Sequence, residues 1–167
     1  MGGGGGCSAG AHTLASPGSL LYPETGNGGY TSLHTLVHLV YNATANKFLQ
    51  AIENAAIPGC DAWSADATLD ATVPNWRMHK AGADSIRAEY SRWFADPAHF
   101  DELHRFPVTG VGELIEYTLS WEENGVPHAA HHMHLLTVRD DRIVNDTVLC
   151  GGRWPAKLLA EMEAADA

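Results

Sequence analysis

Alternation of hydrophobic and polar residues dominates the chain over residues 113–154. Three runs follow the period of two that places successive side chains on opposite faces of a β-strand. The runs span residues 113–121, 126–138 and 142–154. Asn124-Gly125 separates the first two and favours a type I′ hairpin turn, and Asp140-Asp141 is a weaker turn of the same length. The pattern therefore predicts three consecutive antiparallel strands.

The same period sorts the side chains of these runs into two sets. One set combines apolar residues with two imidazoles, one carboxylate and one thiol: Tyr117, Leu119, Trp121, His132, His134, Leu136, Asp146, Val148 and Cys150. That composition is typical of a small-molecule site, so we predict that these residues line a concave pocket. We expect Met133, Leu135 and Ile115 on the outer face, which is too apolar to stay in water. Either a second subunit or the segment at residues 33–41 covers it.

The remaining periodicity predicts other elements around this meander. In chain order they are a helix over 45–55 capped by Asn42 or Thr44, a short helix from Pro58 carrying Cys60 and Trp63, a strand over 67–73, a helix from Gly82 with Ile86, Tyr90, Trp93 and Phe94 on one face, a strand over 106–111, and a helix over 155–164. Helices followed by an antiparallel meander indicate an α+β fold.

The first 41 residues differ in composition from the rest. Residues 1–30 contain a run of five glycines and Glu24 as their one charged residue, a composition that buries too little apolar surface to offset its ordering entropy. We expect a flexible extension over residues 1–41, with a short apolar segment at 33–41, and a single domain over 42–167.

Charge and cysteine content restrict the function. Ten basic and 20 acidic residues give a formal net charge of -10, which argues against nucleic acid and anionic membranes as partners. No apolar run is long enough to span a bilayer, no secretory leader is evident, and three cysteines without C-x-x-C spacing are expected to be reduced thiols. We therefore expect a cytoplasmic protein.

No metal or other cofactor is predicted from the sequence. His132 and His134 form an H-x-H pair on a strand, but Thr137 and Val138 stand where a metal-binding strand of this type would carry a glutamate.

Several segments together resemble the nuclear-transport-factor-2-like (NTF2-like) superfamily, which includes ketosteroid isomerases and SnoaL-like polyketide cyclases. The segments are K-F-L-Q-A-I, W-S-A-D-A-T-L-D-A-T-V-P, G-A-D-S-I-R-A-E-Y, L-S-W-E-E-N-G-V-P-H-A-A-H-H and G-G-R-W. They cover about two thirds of the chain, in the order of the family, and look most similar to bacterial SnoaL-like proteins of unassigned activity. The resemblance implies a cone, in which a curved antiparallel sheet wraps around helices with a pocket in the open end, and a homodimer.

The resemblance also bears on the catalytic residues. The tyrosine of ketosteroid isomerases corresponds to Phe48, their general base to Ala71 beside Asp70, and their second oxyanion donor falls at or near His134. Steroid isomerisation by the known machinery is therefore not expected. Relatives that act as cyclases or dehydratases use His/Asp pairs, which implies catalytic roles for His134, His132 and Asp146.

The predicted function is that of a small-molecule pocket protein. We expect a cofactor-independent lyase, isomerase or cyclase that uses His/Asp acid–base chemistry on a small, apolar or aromatic ligand. The predicted substrate-binding residues are Phe48, Trp76, Tyr117, Leu119, Trp121, Leu136, Val148 and Cys150. Arg153 either binds a substrate carboxylate or forms a structural salt bridge. The alternative is a non-catalytic ligand-binding or oligomerisation module.

Overall fold

The structure, a computed structural model, describes residues 41–167. These residues form α1 (Ala43–Glu53), a 3₁₀ turn (Ile57–Gly59), β1 (Trp63–Val73), β2 (Trp76–Ala81), α2 (Ala83–Trp93), β3 (Ala98–Val108), β4 (Gly112–Glu123), β5 (Val126–Arg139), β6 (Arg142–Cys150), β7 (Trp154–Pro155) and α3 (Ala156–Ala165). Apart from Tyr41, the predicted N-terminal extension and its apolar segment lie outside the described residues. Within residues 41–167, no helix has the length and apolar character needed to cross a membrane.

The strands form one open sheet in the order β2-β1-β6-β5-β4-β3, with β7 beside β5. This is the α+β cone that the sequence predicts. The sheet departs from a purely antiparallel one at a single junction, because β1 pairs with β6 in parallel. Four strands and a helix separate β1 from β6 along the chain. Register shifts in the β3–β4 and β5–β6 pairs leave one extra residue on β3 and one on β6, and such bulges bend strands and increase their twist.

The meander from β4 to β6 follows the predicted register. Both turns have two residues with positive φ, Asn124 (52°) and Gly125 (77°), then Asp140 (49°) and Asp141 (55°), as a type I′ turn requires. Tyr117 lies opposite His132, His132 opposite Cys150, and His134 opposite Val148. The predicted inner set therefore shares one face of the sheet.

Helices α1 and α2 cover this inner face. Asn42 caps α1, because its Oδ1 accepts from the backbone N–H of Thr44 at 2.8 Å. Its own N–H donates to Glu113 at 3.2 Å, which ties the start of the helix to β4. Phe48 of α1 and Tyr90 of α2 are fully buried and stack with ring centroids 5.5 Å apart. The core therefore lies between two helices and the sheet.

Several predicted elements were wrong in extent or type. Trp63 belongs to β1, which starts four residues earlier than predicted, and Pro58 lies in a 3₁₀ turn and does not start a helix. Strand β2 was not predicted, and β3 begins at Ala98 rather than Phe106. The missed residues of β2 and β3 lie on the two edge strands of the sheet and are largely exposed or half-buried, so their hydrophobic pattern is weak.

Ile115 was also assigned to the wrong face. It lies opposite His134 and is fully buried in the core, whereas Leu135 on the outer face is 37% exposed. The prediction conflicted with the period of two, which places Ile115 with Tyr117.

Candidate active site

A chain of buried hydrogen bonds crosses the centre of the domain. The Tyr90 hydroxyl donates to Asp146 Oδ2 at 2.6 Å, and Asp146 Oδ1 lies 3.0 Å from His134 Nδ1. His134 Nε2 lies 3.0 Å from the Tyr117 hydroxyl. All four side chains are fully buried. The His134 ring thus links the Asp146 carboxyl group to the Tyr117 hydroxyl, and Tyr90 donates to the same carboxyl group from the other side.

Strand register and helix α2 together position these four groups. His134 lies opposite Val148 and Asp146 lies opposite Leu136, so the imidazole and the carboxylate are diagonal neighbours on one face. Tyr90 reaches the same carboxylate from the buried face of α2. Burial raises the pKa of Tyr90 and of Tyr117 well above the ordinary value, and the charge of Asp146 adds to both shifts. Both hydroxyls therefore remain donors.

Next to this buried chain lies a cavity of about 330 Å³. It lies between the end of α2 and the inner face of β4, β5 and β6. Its lining is mainly apolar and aromatic, and comprises Val73, Pro74, Met78, Arg92, Trp93, Phe94, Leu119, Trp121, Ala130, His132, Cys150, Gly152 and Arg153. Its volume and composition are within the range of ligand pockets in proteins.

His132 is the imidazole on the cavity wall. Its side chain is buried, its Nε2 lies 3.6 Å from Cys150 Sγ, and its Nδ1 has no hydrogen-bond partner within residues 41–167. The ring stacks on Tyr117, with centroids 5.3 Å apart and an interplanar angle of 13°. Burial, followed by the neighbouring His134 and His131, lowers the pKa of His132 to about 3. His132 is therefore neutral at physiological pH and can accept a proton.

Cys150 faces His132 as a neutral thiol. Burial raises its pKa, and a hydrogen bond from the Gly152 backbone N–H, at 3.3 Å to Sγ, offsets part of that rise. The pair is thus a thiol and a neutral imidazole rather than an ion pair. The contact restrains the ring of His132 against rotation.

Comparison at the level of sequence identifies no relative. No protein-family model matches the chain, and no curated protein matches it.

Solved structures do resemble the domain. An NTF2-like protein from Anabaena variabilis is 14% identical, with 75% of this chain and 96% of that chain covered and a TM-score of 0.57. A candidate isomerase from Bacillus subtilis is 15% identical over 65% and 84% of the two chains, with a TM-score of 0.56. The chain has the NTF2-like fold. A candidate polyketide cyclase from Xanthomonas campestris is 13% identical over 64% and 86%, with a TM-score of 0.52. At these identities the similarity establishes a fold and not an activity.

The NTF2-like cone contains the predicted site residues at three different depths. His132, Leu119, Trp121 and Cys150 line the cavity. A second group is fully buried behind the cavity wall and does not line it: His134, Asp146, Phe48, Tyr117, Leu136 and Val148. Trp76 lies on the edge strand β2, is 68% exposed and does not line the cavity. The geometry therefore separates one predicted histidine from the other.

Some of the cavity lining was not predicted from the sequence. Arg92, Trp93 and Phe94 come from the C-terminal end of α2, and Met78 comes from β2. Trp93 and Phe94 belong to the apolar face predicted for that helix. That pattern predicts burial in the core but does not indicate that they line the cavity. Tyr90 is on the same face. A buried tyrosine hydroxyl usually has a hydrogen-bond partner, so its presence there indicated a buried polar group nearby.

The positions matched to the ketosteroid isomerase machinery in the sequence analysis have the following surroundings in the structure. Phe48 packs edge-on against His134, with ring centroids 5.3 Å apart, and Ala71 is buried. Asp70 is paired with Arg77, whose Nε lies 2.9 Å from its Oδ1. Among the described residues, no group of three or more His, Cys, Asp or Glu side chains is arranged to hold a metal ion.

Proposed function

We propose that this protein is a cofactor-independent lyase, isomerase or cyclase that moves a proton on a small, largely apolar substrate by means of His132. One observation carries the proposal: His132 lines an apolar cavity, with its Nε2 beside Cys150 and its buried Nδ1 without a hydrogen-bond partner among residues 41–167. Buried polar atoms in proteins normally have a hydrogen-bond partner, and exceptions occur at functional sites.

The proposed chemistry begins at a carbon next to a carbonyl group. Neutral His132 accepts a proton from that carbon, and the substrate becomes an enolate. Return of the proton to another carbon gives an isomerisation, loss of a leaving group gives an elimination, and attack on a second carbonyl gives a cyclisation. The negative charge of the enolate stabilises the imidazolium, because opposite charges attract strongly in a cavity shielded from water.

His134 and Asp146 act in this proposal as positioning residues. They lie behind the cavity wall, and His134 Nε2 lies 3.0 Å from the hydroxyl of Tyr117, whose ring stacks on His132. The His134–Asp146 pair therefore holds the surface on which His132 rests. The sequence analysis predicted a catalytic role for His134 and Asp146. In this proposal they position His132 and do not touch the substrate.

A non-catalytic ligand-binding module is the second candidate function. One observation favours it: the pKa of His132, about 3, is far below the value near the working pH that suits a general base. The cavity would then bind a ligand without changing it.

Two measurements on the wild-type protein separate the two candidates. A thermal-shift screen of small aromatic ketones, enones and acids identifies ligands, because a ligand that binds only the folded state raises the melting temperature. Each ligand is then incubated with the protein in D₂O, and deuterium uptake next to its carbonyl is followed by mass spectrometry. Uptake faster than without protein supports the enzyme. Ligands that bind without any exchange support the binding module.

We also propose that the protein forms a homodimer through the outer face of the sheet. Met133 and Leu149 are paired across β5 and β6, and Leu135 lies two residues from Met133. Leu149 is 53% exposed, and Phe106 on β3 is 51% exposed. A second copy of this face would remove these side chains from water.

A further inference from the structure

We propose that the ligand of this cavity is an apolar or aromatic molecule with a carboxylate, and that Arg92 and Arg153 bind the carboxylate at the cavity mouth. The inference deepens the proposed function, because it names the substrate class for the site at His132. Two observations support it: the lining contains two arginines and no acidic residue, and these arginines are exposed whereas His132 is buried.

The lining concentrates positive charge in an acidic protein. The chain has ten Lys and Arg residues against 20 Asp and Glu. Two of the ten, Arg92 and Arg153, line the cavity, and none of its described lining residues is acidic. A cavity with that imbalance attracts anions and repels cations.

The two arginines lie at the exposed end of the cavity. The Arg92 side chain is 69% exposed and that of Arg153 is 48% exposed, whereas His132 is 4% exposed. Between these ends the wall is apolar, with Trp93, Phe94 and Leu119 among its residues. A ligand with a charged end and an apolar body matches this order.

Both guanidinium groups keep donors available for a ligand. Arg92 pairs with Glu89, which also accepts from Lys80 at 3.1 Å, so two cations share one carboxylate. Arg153 pairs with Glu123 and lies over the Trp121 ring at 5.3 Å. A guanidinium group has five N–H donors in a planar fork, so one carboxylate partner does not exhaust them. The planar fork suits bidentate binding of a second carboxylate.

An anionic ligand would also change the state of His132. Burial is the main cause of the low pKa of His132. A carboxylate in the same cavity favours the imidazolium and so raises that pKa toward the range of an effective base. The arginines would thereby favour substrates whose carboxylate raises the pKa of His132.

Isothermal titration calorimetry with two matched probes tests this inference. The probes are 2-naphthoate and its neutral amide, 2-naphthamide, titrated into the full-length wild-type protein. We expect the acid to bind at least about tenfold more tightly, since a hydrogen bond to a charged group contributes about 1.5–3 kcal/mol and each 1.4 kcal/mol is tenfold. Raising the NaCl concentration should weaken the acid and leave the amide unchanged.

Three variants locate the effect. Arg92→Gln and Arg153→Gln should each weaken 2-naphthoate by about tenfold and leave 2-naphthamide unchanged. Arg139→Gln is the matched control, because Arg139 is exposed at the end of β5 and does not line the cavity. Melting temperatures confirm that each variant is folded.

The outcomes separate this inference from the proposed function. Equal affinity for acid and amide, binding of neither probe, or equal effects of all three variants would overturn the carboxylate assignment. Deuterium exchange on neutral ligands would then still support the enzyme. Arginine-dependent binding of 2-naphthoate supports the assignment even where no ligand exchanges deuterium, and the enzyme proposal alone would then fail.

Discussion

His132 and His134 are two residues apart on one face of β5, yet their surroundings differ. Both ring nitrogens of His134 have side-chain partners, Asp146 and Tyr117, and its side chain is fully buried. Among residues 41–167, one ring nitrogen of His132 has no hydrogen-bond partner, and its ring lies in the cavity wall. His134 is therefore placed to hold structure, and His132 is placed to meet a ligand.

The low pKa of His132 should appear in the pH dependence of stability. Folded His132 stays neutral down to about pH 3, whereas an ordinary histidine protonates near 6.5. Between these values the unfolded chain binds the extra proton, so the free energy of unfolding falls as pH falls, by about 1.4 kcal/mol per unit. Between pH 7 and pH 5, His132→Gln should lose about 2 kcal/mol less than wild type in urea denaturation. Equal losses would show that His132 protonates in the folded protein.

The hydrogen bond from Tyr90 to Asp146 should stabilise the fold more than that from Tyr117 to His134. Tyr90→Phe leaves a buried carboxylate with one donor fewer, and hydrogen bonds to charged groups contribute about 1.5–3 kcal/mol. Tyr117→Phe removes a bond between neutral groups and should cost about 0.5–1.5 kcal/mol. Urea denaturation at pH 7 measures both. A larger loss for Tyr117→Phe would contradict this ranking of the two hydrogen bonds.

At this scale the sequence predicted the faces of side chains but not their depth. Periodicity correctly placed His132, His134, Asp146 and Cys150 on one face. Which of them reaches the cavity depends on where α1 and α2 end over the sheet. Phe48 of α1 covers His134, while the last turn of α2 stops beside His132. How far each helix extends over the sheet depends on packing between elements that are far apart in sequence.

At the scale of elements, the start of β4 depends on one glycine. Gly112 lies so close to β5 that a Cβ atom there would be 2.2 Å from the Leu136 carbonyl oxygen. The neighbour is backbone and is part of the β4–β5 ladder, so it cannot move aside without breaking the pairing.

Gly112→Ala should therefore lower the free energy of unfolding by about 1–3 kcal/mol, as overpacking does. Gly59→Ala is the matched control, because no atom of the described residues would lie within 4 Å of a Cβ at Gly59. It should change stability by less than about 0.5 kcal/mol. Chemical denaturation of both variants checks the difference, and equal stabilities would mean that β4 does not approach β5 as described.

The elements that were missed share a physical reason. Strand β2 reads W-R-M-H-K-A and lies at the sheet edge, where one face is in water and few residues need to be apolar. The parallel pairing of β1 with β6 joins segments more than 70 residues apart. Local patterns predict a strand and its faces, but a distant partner is chosen by the packing of the whole domain. The resemblance to the NTF2-like superfamily supplied the fold that periodicity alone did not.

At the scale of the whole molecule, the apolar outer face of the sheet is the basis for the proposed dimer. Light scattering should give the mass of two chains for wild type. Leu135→Glu places a charge among Met133, Leu149 and their symmetry-related copies, so it should shift the mass toward one chain. Val126→Glu is the control. Val126 is also exposed, but the alternation of side chains along β5 places it on the inner face and not on the outer one. A wild-type monomer at every concentration tested would contradict the proposal.

The central claim is that His132 transfers a proton in the cavity, and deuterium exchange by His132→Gln tests it most directly. Replacing His134 would be less informative, because it removes a partner of buried Asp146 and so mixes folding with activity. A ligand that exchanges with the wild-type protein is incubated in D₂O with wild type and with His132→Gln, at equal folded concentration. We expect the protein-dependent exchange rate of the variant to fall by about 100-fold or more. An exchange rate in His132→Gln near that of wild type would contradict it.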